Sequence, residues 1–205
     1  MPAKNDDLHG NVPDTAPVAL LLIDVINDLE FPGGDELAAR VEPVVDRLAA
    51  LVARARAAKV PVVYVNDNFG RWRSDFHQQL EHVLRDGVRG RVLAERLAPT
   101  EDDYFVLKPK HSGFFATTLD TLLAYLKVRT LIVAGLTTNV CVLFTAADAY
   151  MRDLHLAVPE DCVAACTESE HRTGITMLRD VLHADTRPSA EIDFAALAAG
   201  AAPPA

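Results

Sequence analysis

Residues 130–152 read TLIVAGLTTNVCVLFTAADAYMR, and this stretch decides the fold. A short apolar run, Thr130–Ala134, stops at Gly135 and a polar turn follows. From Asn139 to Arg152 apolar residues recur at helical spacing. A buried strand thus feeds a turn and then a helix. The same unit recurs upstream. Val18–Ile23 (VALLLI) ends at Asp24, FPGG marks a loop, and Asp35–Lys59 has helical spacing with Asp35 as the predicted N-cap. Val60–Val65 is a second buried strand, with Pro61 tolerable at its start. Residues 76–97 carry broken helical patterns. Tyr104–Leu107 and Leu154–Val158 read as strands, and Thr117–Leu126 and Glu170–Leu182 as helices. Strands alternating with helices predict an α/β protein, a single-domain three-layer α/β/α sandwich around a largely parallel sheet.

Composition narrows the function. The 205 residues suit one domain, and half of them are hydrophobic, which excludes wholesale disorder. Twenty basic against 29 acidic residues give a net charge of −9, which argues against a basic nucleic-acid binder. No apolar run approaches the ~20 residues of a membrane helix. The polar start MPAKNDDLHG lacks a signal core, and the three cysteines form no disulfide framework, so a cytoplasmic protein is expected. Residues 1–15 read as a flexible tail, 16–193 as the domain, and 194–205, Ala- and Pro-rich, as a second flexible tail.

Open α/β sheets bind ligands beyond the carboxyl ends of their strands. The residues there are Asp24, Asn66–Asp67, Lys108 and the segment Gly135–Cys141. A thiol in the first turn of a helix would be drawn toward the reactive thiolate. Alone, Cys141 reads better as a small buried side chain, and the strand–turn–helix context brings the functional reading level with it. Cys162 and Cys166 have no comparable context and read as structural. Asp24 closes an apolar strand, and the nearby Asp28 is assigned to organising the loop. Together, a carboxylate, an ammonium and a thiol form a workable set. Asp24 takes the thiol proton, Lys108 orients the pair, Cys141 attacks a carbonyl, and backbone N–H groups at the helix start bind the oxyanion.

Three segments resemble the isochorismatase-like cysteine hydrolases, a family that includes nicotinamidases and N-carbamoylsarcosine amidohydrolases. LLLIDVINDLEFPGG (20–34) is similar to the family's opening strand and aspartate. VLKPKHSGFFATTLDTLL (106–123) resembles its lysine segment, and LIVAGLTTNVCVLFTAADAYMRD (131–153) its nucleophile segment. The likeness spans residues 17 to 183. It implies a six-stranded, mostly parallel sheet and a triad of Asp24, Lys108 and Cys141. It further implies a cis Leu136–Thr137 peptide and an oxyanion hole of the Thr137 and Cys141 N–H groups.

The sequence also departs from the family. Leu29 stands where Phe is frequent, and His111 where Tyr is usual. Nicotinamidases carry an Asp-x-His metal motif after the second strand. Here Asn66-Asp67-Asn68-Phe69 stands in its place, with His77 and His82 at unsupported spacing. No metal and no other cofactor is therefore expected, and nicotinamide is disfavoured as substrate. Trp72 and Phe114 are expected to contact a small-molecule substrate.

The resemblance implies a homodimer or homotetramer, with no nucleic-acid or membrane partner. The leading expectation is a cysteine hydrolase cleaving an amide or carbamoyl C–N bond through a thioester. The alternatives are a vinyl-ether hydrolase with Asp24 as acid, and a catalytically idle binding module.

Overall fold

The computed structural model describes residues 16–70, 75–85 and 87–200. The N-terminal tail, the last five residues and Trp72, on which sequence expectations fell, lie outside the described residues. In chain order the elements are β1 (Val18–Ile23), α1 (Gly34–Ala57), β2 (Val62–Asp67), α2 (Phe76–Arg85), α3 (Arg91–Arg96), β3 (Tyr104–Lys108) and α4 (Leu119–Leu126). There follow β4 (Thr130–Leu136), α5 (Leu143–Tyr150), β5 (His155–Ala157), β6 (Val163–Ala164), α6 (Glu168–Asp180) and α7 (Phe194–Ala198).

The sheet has six strands in the order β3-β2-β1-β4-β5, with β6 also pairing β4, and every pair is parallel. Leu20 lies beside Val62 on one side and Ile132 on the other, so β1 and β4 are central. All thirteen residues of these two strands are buried, which is why both read as unbroken apolar runs. Side chains alternate between the faces. Val18, Leu20 and Leu22 join the core under α1, α2, α3 and α7. Ala19, Leu21 and Ile23 join the core under α4, α5 and α6. The three-layer expectation is met.

The chain runs outward from β1 through β2 to β3, then returns to the far side of β1 as β4. Connections leaving β1 and β4 therefore diverge, and a crevice opens at their carboxyl ends. Gly135 sits at that point with φ 113°, and a Cβ there would lie 2.2 Å from the Ile23 carbonyl oxygen. Gly135→Ala is expected to destabilise the fold by about 2–3 kcal/mol through strain and forced separation of β1 from β4. Urea unfolding followed by circular dichroism measures it, and an unchanged midpoint would show that the strands can part freely.

Most element boundaries shift by one to four residues from the sequence reading, α5 starting at Leu143 rather than Asn139, and three differences matter more. Gly33, at φ 89°, caps α1, and Asp35 lies inside the first turn. Strand β6 falls in the CVAAC segment and is two residues long, too short to show a period. The predicted flexible tail from 194 is corrected over its first part. Asp193 accepts from the Ala195 and Ala196 N–H groups, and Phe194 and Leu197 are buried in the α1-side core. Arg54 secures this end, donating to the Ser189 carbonyl at 2.7 Å and to that of Ile192, with its guanidinium 5.3 Å from the Phe194 ring centre.

Candidate active site

Asp24 leaves β1 in a left-handed conformation, φ 52°, which Asp tolerates better than most side chains. Its Oδ1 accepts the Asp67 N–H at 2.7 Å, linking the ends of β1 and β2. Lys108 closes β3 and is fully buried. Its Nζ stands 2.9 Å from Asp24 Oδ2, 3.4 Å from Asp67 Oδ2 and 3.5 Å from Cys141 Sγ. A buried ammonium requires such partners. Three residues from distant parts of the chain thus meet around one cation.

Cys141 enters from a wide turn, Thr138–Val142, placed between β4 and α5. The Thr137 carbonyl accepts the Val140 and Val142 N–H groups, both at 3.1 Å, the second being the five-residue step of a π-turn. Such bulges are frequent at functional sites. The Leu136–Thr137 peptide is cis. Helix α6 presses on this turn: a Cβ on Gly174 would lie 2.9 Å from Thr138 Cγ2 and 3.0 Å from its carbonyl. Thr138 Oγ1 also pairs with His171 Nδ1 at 3.0 Å, a contact nothing in the local sequence announces.

The electrostatics correct one expectation. The Cys141 thiol is not drawn down by its place at a helix start. Burial, and then the Asp24 charge, push it up to about 12, and Lys108 offsets this only in part. Burial also pushes Asp24 above the usual carboxylate value, against the pull of Lys108. Burial works against the Lys108 ammonium, but Asp24, Cys141 and Asp67 together hold its pKa above the ordinary lysine value. Burial and the neighbouring carboxylate therefore favour the thiol over the thiolate at Cys141. Alkylation of Cys141 by iodoacetamide is expected to keep accelerating past pH 9, the ordinary thiol value. Peptide mass spectrometry reads the rate, and a plateau at neutral pH would mark a depressed thiol instead.

The loop after Lys108 is bolted to α5. Ser112 Oγ donates to Asp148, and the Gly113 N–H donates to Thr145 Oγ1 at 3.0 Å. Arg152 braces the far side, 3.1 Å from Asp120 and 3.6 Å from Asp148. This loop carries His111, whose Nδ1 is 3.8 Å from Cys141 Sγ.

Phe114, expected at the substrate, is 5% exposed and packs in the α4–α5 core, with the Arg152 guanidinium 4.5 Å from its ring centre. The sequence placed Asp67 at a strand end without a role; it is a third partner of Lys108. Asp28 organises its loop as expected, accepting the Glu30 N–H at 3.0 Å and pairing with His82 at 3.1 Å. His77 packs against Phe105 at 5.8 Å. Among the described residues no group of three or more His, Cys, Asp or Glu side chains is placed to hold a metal ion.

Residues 18–186 match the isochorismatase domain model. The uncharacterized isochorismatase family protein YaaI of Bacillus subtilis (strain 168) is 38% identical over 86% of this chain and 97% of its own. Ureidoacrylate amidohydrolase RutB of Methylobacterium radiotolerans is 31% identical over 79% of this chain and 73% of its own. The crystal structure of N-carbamoylsarcosine amidase from Thermoplasma acidophilum superposes with a TM-score of 0.66 at 28% identity, covering 86% of this chain and 98% of that one.

Proposed function

The chain belongs to the isochorismatase family of hydrolases, and on that premise we propose that it cleaves a C–N bond of a small amide or ureido compound with Cys141 as nucleophile. The observation that carries this reading is the buried Lys108 ammonium, 2.9 Å from Asp24 and 3.5 Å from Cys141. In the first half-reaction Asp24 accepts the thiol proton as sulfur attacks the substrate carbonyl. Lys108 keeps the developing thiolate paired with a cation. The Thr137 and Cys141 N–H groups receive the oxyanion, and Asp24 returns its proton to the leaving nitrogen, leaving a thioester. Burial raises the Asp24 pKa above the ordinary carboxylate value, which makes it a stronger base toward the thiol than an exposed aspartate.

An ammonia-release screen over ureido acids, carbamoyl compounds and primary amides tests the reading. Turnover of one class should fall by about 10⁴-fold or more in Cys141→Ala. Equal turnover by that variant would remove the nucleophile.

A second reading has one observation in its favour. A buried carboxyl with a raised pKa is also a proton donor, as vinyl-ether hydrolysis requires. There Asp24→Asn abolishes turnover of isochorismate while Cys141→Ala tolerates it.

A further inference from the structure

His111 touches the nucleophilic sulfur and has no part in the acylation steps above. Its Nδ1 lies 3.8 Å from Cys141 Sγ, and its ring rests against Phe144 at 5.7 Å between centres. Its loop is fixed to α5 through Ser112–Asp148 and Gly113–Thr145, so the imidazole keeps a defined place. His111 is exposed, whereas Asp24 is 5% exposed and Lys108 fully buried. Asp24 Oδ1 accepts the Asp67 N–H, Oδ2 faces Lys108, and the carboxyl also hydrogen-bonds the Cys141 side chain, so it serves the enclosed side of the sulfur.

Those facts bear on the second half of the reaction. Once the nitrogen leaves, the thioester must be broken by water, which arrives from the open side of the sulfur. The base on that side is the imidazole, not the enclosed carboxylate. Resting on the assignment of Cys141 as nucleophile, we propose that His111 is the general base of thioester hydrolysis. Nδ1 takes one proton from water as the water oxygen bonds to the thioester carbonyl carbon. The C–S bond breaks, the acid product departs, and the imidazolium hands that proton to the sulfur, regenerating thiol and neutral imidazole. Atoms and charge balance without another reactant.

Rapid-quench mass spectrometry after mixing the full chain with p-nitrophenyl acetate follows both gain and loss of acetyl at Cys141. In wild type the adduct should form and decay quickly, and Cys141→Ala should show none at that peptide. In His111→Ala the adduct should still form but decay about 10²-fold more slowly. His111→Gln should behave likewise, since it keeps polarity without basicity. Added imidazole should restore decay in His111→Ala and leave wild type unaffected, an effect that lost packing would not give.

Unchanged decay in both His111 variants would overturn the proposal while leaving Cys141 as nucleophile. Equal slowing of formation and decay, with no response to imidazole, would reduce His111 to a structural part and overturn it too. A wild type with no acetyl at Cys141 would overturn the nucleophile assignment itself, and this proposal with it.

Discussion

Lys108→Met is expected to lower the unfolding free energy by about 3–5 kcal/mol and to abolish turnover. The ammonium is fully buried, and its removal leaves the Asp24 carboxylate enclosed with its Oδ2 partner gone. An uncompensated buried charge is costly because the interior cannot solvate it as water does. The carboxyl then meets that cost by binding a proton, which disables it as a base. The companion Asp24→Leu/Lys108→Met replaces both ions with hydrocarbon and should regain most of the lost stability while remaining inactive. Urea unfolding of the two variants beside wild type gives the answer. If the single variant unfolds at the wild-type midpoint, Lys108 is solvated in solution and the closed geometry is wrong.

Asp24→Asn is expected to slow formation of the Cys141 acyl adduct by about 10²–10⁴-fold, the range for loss of a positioned base. The amide keeps the shape and can still accept the Asp67 N–H, but it cannot take a proton from the Cys141 thiol, which burial holds above the ordinary thiol value. The pH profile makes the test sharper. Below its own pKa Asp24 is protonated and cannot act as base, so kcat/KM should rise with pH. That rise should be centred above 3.8, the ordinary carboxylate value, because burial raises the group. Lys108, held above its ordinary 10.5, stays charged throughout the neutral range and should add no falling limb there. Vinyl-ether hydrolysis needs the protonated acid, so its rate should fall across the same interval. The sign of one slope therefore separates the two reactions.

The strand ends are readable to within two residues because each apolar run stops at a polar or glycine residue: Ile23 at Asp24, Ala134 at Gly135, Leu107 at Lys108, although β3 includes Lys108 and β4 runs on to Leu136. A parallel sheet sends all those ends to one side, so the sequence pattern alone brings three chemically distinct groups together. Helix α7 was missed because Ala-rich sequence with terminal prolines reads as fraying. The signal was nevertheless present in the Asp193 cap and the three-residue spacing of Phe194 and Leu197. The state of the thiol was not readable. Helix position argued for a lower pKa, while the burial and neighbouring carboxylate that raise it belong to the tertiary structure. The packing of Phe114 was not readable for a similar reason: its neighbour Arg152 is far along the chain. Contacts such as Thr138–His171 join segments with no shared local pattern.

The two faces of the sheet divide the labour unequally. Asp24, Lys108, His111, Thr137 and Cys141 lie on strand ends, loops and the turn into α5, and none belongs to α1, α2, α3 or α7. The layer over Leu20 and Leu22 supplies none of these groups and, apart from Gly34 and Gly90, where a Cβ would lie 1.9 Å and 1.7 Å from the Leu29 and Asn27 carbonyl oxygens, is open to thermostabilising redesign. The layer over Leu21 and Ile23 has less latitude, because α6 meets the turn that carries Cys141 with only a hydrogen atom's clearance at Gly174. Random mutagenesis selected for heat resistance should accordingly gather its hits on the first face and leave the second almost bare.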